Sequence, residues 1–268
     1  MTDAEPHVTL TRQDALAVLT LNRPQARNAL SDEMRHLLTE LTHRCETDPA
    51  IRAVLLRAEG ETFMAGGDVK GFHSAIEEDQ AAHAARVETR IITIHQCLYQ
   101  IRRMPKPVVV AAQGGVAGLG MSLLMAADLA VVAEDAFFTL AYRHIGLSGD
   151  GCSTYLLPRI VGERRALEIA LLGERFDAAE AKAIGLVNRV VPRADLDTVA
   201  RRLAQSLADG PTFALARSKR LIRNSWDASW DEQSHREAEL MAECAATDDH
   251  REGVAAFIEK RAPRFTGH

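Results

Sequence analysis

The stretch "SGDGCSTY" at 148–155 sets one carboxylate, Asp150, between Gly149 and Gly151. A carboxylate on so bare a turn does one of two jobs. It caps the helix that follows, because Asp suits turns and N-caps. Or it gives and takes protons at a substrate that comes close to the backbone. Two further stretches bear on the choice. "FMAGGDVK" (63–70) and "GGVAGLGMS" (114–122) each follow an apolar, strand-like run and each lead towards a helix. Their glycines let bare backbone approach a ligand. The residue entering each helix offers an N–H with no intrahelical acceptor and the positive end of the helix dipole behind it. Two such loops in one chain can aim two N–H groups at one oxygen, which is an oxyanion hole. Neither loop is a phosphate loop, and neither fits the dinucleotide fingerprint with its acid about twenty residues on.

These groups need a scaffold, and the hydrophobic pattern supplies one. "HVTLTRQDALAVLTLN" (7–22) reads as two strands around a turn at Gln13–Asp14. Ser31 starts an amphipathic helix with Met34, Leu37, Leu38, Leu41 and Cys45 on one face. "AVLLRA" (53–58), "PVVVAAQ" (107–113), "LAVVA" (129–133) and "AFFTLA" (136–141) read as further strands. A long helix runs over about 80–103, with Val87, Ile91, Ile94, Leu98 and Ile101 in one stripe, and Pro105 and Pro107 end it. His95 sits beside that stripe, where spacing alone makes it a core or boundary histidine. "DAAE" (177–180) is a capping-box pattern, and Gly173 and Gly185 read as helix stops. Strands separated by helices predict stacked β/α units over 1–193, and 194–268 predicts a helical appendage.

Composition excludes several function classes. The chain has 268 residues, 47% hydrophobic and 26% charged, with a net charge of −5. That balance is ordinary for a globular protein and argues against nucleic acid as main partner. The locally basic "RSKRLIR" (217–223) reads as a solvated helix face. Cys45, Cys97, Cys152 and Cys244 are scattered with no zinc or redox spacing, as in a cytoplasmic protein with reduced thiols. No run approaches the ~18 apolar residues of a membrane span. "LLMAADLAVVA" (123–133) is the most apolar stretch and, with Asp128 in it, reads as buried core.

The motifs together resemble the crotonase family, the enoyl-CoA hydratase/isomerase superfamily, nearly end to end. The likeness lies in "LNRPQARNAL" (21–30), "FMAGGDVK" (63–70), "KPVVVAAQGGVAGLGMSLLMAADLAV" (106–131), "FTLAYRHIGLSGDGCSTYLLPRIVG" (138–162), "AAEAKAIGLVNRVV" (178–191) and "AFIEKRAPRF" (256–265). The resemblance implies a spiral of ββα turns, a helical C-terminal trimerisation region, and homotrimers or hexamers. It implies an acyl-CoA thioester as substrate, with no separate cofactor or metal. The family's two oxyanion N–H groups fall on Gly67 and Leu119. The CoA moiety is expected along Arg27, Ala29, Ala65, Asp68, Val69 and Lys70. Phe257 and Lys260 are expected to approach it from the C-terminal helix, that of a neighbouring subunit in the family's trimer.

Three positions bear on the reaction. Typical hydratases of the family place two glutamates where this sequence has Ser122 and Tyr142. Neither replacement is an easy base near neutral pH, since a free Tyr titrates near 10. Ser122 is therefore expected as a small core residue beside the acyl pocket, and Tyr142 as part of that pocket's wall. Asp150 matches an acid found in a subset that includes some enoyl-CoA isomerases, although Gly149 and Cys152 depart from the usual loop. One carboxylate suffices for double-bond migration in a 3-enoyl thioester. The base in such a step needs a pKa lifted towards neutrality, which an apolar pocket can supply. His95 matches a catalytic histidine of the family's 4-chlorobenzoyl-CoA dehalogenases, where the Asp150 position is a nucleophile and the Tyr142 position is Trp. Isomerisation is the leading expectation. Hydration of a 2-enoyl-CoA, dehalogenase-like hydrolysis and a non-catalytic CoA-binding or RNA-binding role are its alternatives.

Overall fold

The structure, a computed structural model, describes residues 5–68 and 79–268. Strands β1 (Val8–Gln13) and β2 (Leu16–Leu21) form an antiparallel hairpin, with Asp14 at φ 51° in its turn. Helix α1 (Asp32–Thr47) follows, and its cap is the one expected, with Ser31 Oγ accepting from the Met34 N–H at 3.1 Å. Next come β3 (Ala53–Ala58), α2 (Gln80–Arg103), β4 (Val108–Ala112), the short β5 (Gly115–Ala117), α3 (Leu119–Ala126), β6 (Leu129–Ala133) and β7 (Phe137–Thr139). After β7 the chain turns into a 3-10 segment, Ala141–Ile145, so the strand expected over 136–141 is shorter at both ends. Helices α4 (Ser153–Val161) and α5 (Glu163–Leu172), strand β8 (Phe176–Asp177), α6 (Ala178–Ala183) and β9 (Arg189–Val191) complete the mixed part. The remainder is helical: α7 (Leu196–Ala208), α8 (Thr212–Asn224), α9 (Trp230–Ala245) and α10 (Asp248–Glu259), with short 3-10 turns between.

Six strands make the main sheet in the order β1-β2-β3-β4-β6-β9, parallel from β2 onward. Strands β5, β7 and β8 make a second, small sheet. The central strands are buried on both faces, and their side chains alternate between two cores as the pleat requires. Val54, Leu56, Val108 and Val110 face the large core with α1, α2 and α3. Leu55, Val109, Ala111 and Val131 face the other side. There α7 lays a stripe of Leu196, Ala200, Ala204 and Ala208 against the sheet. The first helix after residue 193 is thus a layer of the core.

Two polar groups, Asn28 buried and Asp128 partly buried, hold the pieces in place. Asn28, fully buried, donates to the carbonyls of Glu59 (3.0 Å) and Thr62 (2.8 Å) and accepts from the Arg23 N–H (2.8 Å). It ties the 23–30 loop to the start of the first glycine loop. Asp128 accepts from the Val108 N–H (2.8 Å) and pairs with Lys219 (2.8 Å) and Arg223 (2.6 Å) of α8. The same cations reach the carbonyls of Ile101, Lys106 and Ala126. "RSKRLIR" is therefore not a solvated face. Two of its cations are partly buried where α2 and α3 end, and they find the carbonyls that helix ends leave open.

Candidate active site

The two glycine loops are zipped together by backbone. Phe63 N–H donates to Gln113 (2.8 Å), Met64 to Gly115 (3.1 Å), and Ala117 back to Met64 (2.9 Å). Glycine at 118 is required by its backbone conformation, since the space around it would admit a Cβ at ordinary contact distance. Its φ is 51°, and a Cβ there would stand 3.5 Å from Gly66 Cα and 3.4 Å from the Tyr142 hydroxyl. Leu119 is the first residue of α3, so its N–H has no acceptor within the helix. Gly67 bridges to Leu30, but the bond runs from Leu30 N–H to the Gly66 carbonyl (2.9 Å). A parallel bridge of that register turns the Gly67 N–H away from it. Gly67 and Leu119 both line one cleft of about 250 Å3.

Asp150 lines the same cleft, with Tyr142. The Tyr142 hydroxyl donates to Asp150 Oδ1 at 2.5 Å. Burial, and then the Asp150 charge, push the Tyr142 pKa well above the ordinary phenol range, so the phenol keeps its proton and acts as a donor. The carboxylate does not cap the next helix: Ser153 bonds the Asp150 carbonyl, through N–H (3.0 Å) and Oγ (2.7 Å). The N-cap of α4 is Cys152, in the left-handed region at φ 57° with no side-chain bond. The turn is made by backbone, and the charge is left for the cleft. Gly151 has its own reason. Its φ is 59°, and a Cβ would stand 2.6 Å from Ser122 Oγ. Ser122 is fully buried beneath the turn. Its Oγ lies near enough to the Tyr142 hydroxyl to lower that pKa slightly, yet outside hydrogen-bonding geometry. Burial raises the Cys152 thiol, so a thiolate beside Asp150 is disfavoured.

Other expected residues are placed as follows. Ala65 and Asp68 line the cleft, and Asp68 pairs with Arg23 at 3.1 Å. Arg27 is exposed in the adjoining loop, its carbonyl accepting from Ala65 N–H (3.0 Å), and Ala29 offers its carbonyl to Arg23 (2.9 Å). Val69 and Lys70 lie outside the described residues. Phe257 is 86% exposed on α10, Lys260 caps that helix, and neither lines the cleft of its own chain. His95 does not line it either; its ring lies edge-on to Tyr99 at 6.4 Å, and its Nε2 is buried without a hydrogen-bond partner among the described residues. The stripe of α2 divides instead. Val87, Ile91 and Ile94 wall the cleft, while Leu98 and Ile101 belong to the core. Sequence reasoning missed Arg90 and His144, which also line the cleft. Arg90 is one residue from Ile91 of the stripe, and that was the available signal.

The family model described as enoyl-CoA hydratase/isomerase matches residues 11–268. The chain belongs to the enoyl-CoA hydratase/isomerase family. It is 35% identical over 256 residues to the Escherichia coli 1,2-epoxyphenylacetyl-CoA isomerase, covering 95% of this chain and 96% of that one. It is 30% identical over 254 residues to the Streptococcus mutans trans-2-decenoyl-[acyl-carrier-protein] isomerase, covering 95% of each. A solved enoyl-CoA hydratase from Polaromonas sp. JS666 superposes with a TM-score of 0.89 at 33% identity, over 96% of this chain and 99% of that one. Hydratase is the commoner name among the close relatives. Fold and family thus agree with the resemblance read from the motifs: an α/β crotonase fold with a helical C-terminal region.

Proposed function

We propose that this enzyme moves a double bond in an enoyl-CoA, with Asp150 as its single acid/base. The observation that supports the reading is one cleft lined by Asp150, Tyr142, Gly67 and Leu119, in a sequence that has Ser122 and Tyr142 where the family's hydratases have two glutamates. Asp150 takes a proton from C2 of a 3-enoyl thioester. Negative charge builds on the thioester oxygen, where the two N–H groups hold it, each worth about 3 kcal/mol in the transition state. Asp150 then returns the proton at C4. Tyr142 stays protonated and keeps the carboxylate aimed. The thioester itself delocalises the charge, so the step calls for no separate cofactor. The 23–30 and 63–68 loops would carry the CoA moiety, with Phe257 and Lys260 brought by a neighbouring subunit of a trimer or hexamer.

The names of the relatives favour a second reading, hydration of a 2-enoyl-CoA with Asp150 and an ordered water. One experiment separates the two. The protein is incubated with 3-hexenoyl-CoA and with 2-hexenoyl-CoA in D2O, and both are followed by mass spectrometry. Conjugated product from the 3-enoyl substrate supports isomerisation. A water adduct from the 2-enoyl substrate with no isomerised product would replace it with hydration.

A further inference from the structure

Tyr142 and Leu147 each face two spaces. One is the cleft that holds Asp150. The other is a cavity of about 470 Å3 walled mainly by Leu140, Leu157, Pro158, Ala166, Ala170 and Leu171, from α4, α5 and the end of β7. The shared wall is fixed by a backbone bond from Leu147 N–H to the Tyr142 carbonyl (3.1 Å). Ser148 and Gly149, on the turn that carries Asp150, border this cavity too. Among the described residues two charged ones line it, Arg143 and Glu163, and the Arg143 guanidinium is already engaged by the Leu171 carbonyl (2.6 Å). Leu147, Leu167 and Leu171 around it are 46%, 47% and 65% exposed, so apolar surface stands open to water.

The cleft, at about 250 Å3, is smaller than the ~300–1,000 Å3 of sites that enclose a whole ligand. It has room for the thioester and the reacting carbons, and a longer acyl tail needs a further apolar space. We propose that the tail beyond the reacting carbons passes over the Tyr142–Leu147 wall into the second cavity, so that the substrates are medium-chain to long-chain acyl thioesters. This rests on the acyl-thioester reading of the cleft, though not on which reaction follows.

Calorimetric binding of saturated butanoyl-, octanoyl- and dodecanoyl-CoA tests it without turnover. Affinity is expected to rise by about fourfold per buried methylene, the equivalent of ~0.8 kcal/mol each. Ala170→Phe, which fills the cavity, is expected to flatten that rise and leave butanoyl-CoA binding unchanged. Leu171→Trp, at an exposed lining position, repeats the test should Ala170→Phe not fold. An unchanged chain-length dependence in the variants would overturn the proposal, because the tail would then lie elsewhere. No dependence in the unmodified protein would overturn it too, as a cavity covered by a second copy would predict. If butanoyl-CoA itself fails to bind, the acyl-thioester reading falls and takes this proposal with it.

Discussion

Tyr142 replaces a potential base with a donor, and the consequence is measurable. Tyr142→Phe removes one hydrogen bond to a charged group, typically worth ~1.5–3 kcal/mol. We expect kcat/KM to fall by about tenfold to a hundredfold, with binding of a saturated acyl-CoA little changed. The phenol also sets a pH dependence. Its pKa in the folded protein is raised above its free value, so its stabilising effect is complete below the free phenol pKa of ~10 and is lost as pH climbs above it. Urea titrations at rising alkaline pH should show that loss in the parent and less of it in Tyr142→Phe. Gly151→Ala is expected to cost both folding and activity, through its positive φ and the Ser122 contact. Ser122→Ala in the same chain should rescue only part of the melting temperature, because it removes the Oγ contact but leaves the Cβ of residue 122 at 2.9 Å, Leu119 Cδ1 at 3.1 Å and the φ strain.

At the scale of elements, the Asp128 clamp fastens α8 to the ends of α2 and α3. Burial lowers the Lys219 pKa to about 8 despite its carboxylate partner, so desolvation outweighs attraction there. Asp128→Asn leaves two partly buried cations without their anion and is expected to destabilise the fold by up to about 3 kcal/mol, read by chemical denaturation. Small residues matter as much where α7 meets the sheet. Ala204 is fully buried, and Ala204→Leu should overpack that layer at about 1–3 kcal/mol. Such pairings explain what was legible beforehand. The caps at Ser31 and Asp177, the strand runs and the glycine loops follow from local spacing, and the residues at those spacings declare themselves. Nothing local to "RSKRLIR" says that its cations meet Asp128, which lies far away in sequence. The capping box at 177–180 failed by half for the same reason: Asp177 caps Glu180 N–H (2.8 Å), but the Glu180 carboxylate is drawn to Arg165.

The whole molecule leaves apolar surface on its C-terminal helices. Trp230 is 87% exposed, Phe257 86%, and Met241 and Ile258 72% each. If three or six chains assemble as proposed, light scattering at micromolar concentration should find that mass, and Phe257→Asp should weaken it; a monomer would refute the assembly. The cleft likewise is a product of the whole chain. Asp150 and the two glycine loops stand out by local sequence, and the family resemblance picked Gly67 and Leu119 within those loops; all three line the cleft, whereas Arg90 and His144 enter it only through the packing of α2 and the 3-10 turn around them. The claim that joins these groups is that Asp150 alone moves the proton. The most direct measurement is the single-turnover conversion of 3-hexenoyl-CoA to 2-hexenoyl-CoA by the parent and by Asp150→Asn, in the same assembly state. A loss of at least ~10²–10⁴-fold in the variant, with saturated acyl-CoA binding intact, is the result expected of a general acid/base. Conversion by Asp150→Asn within twofold of the parent would contradict the account.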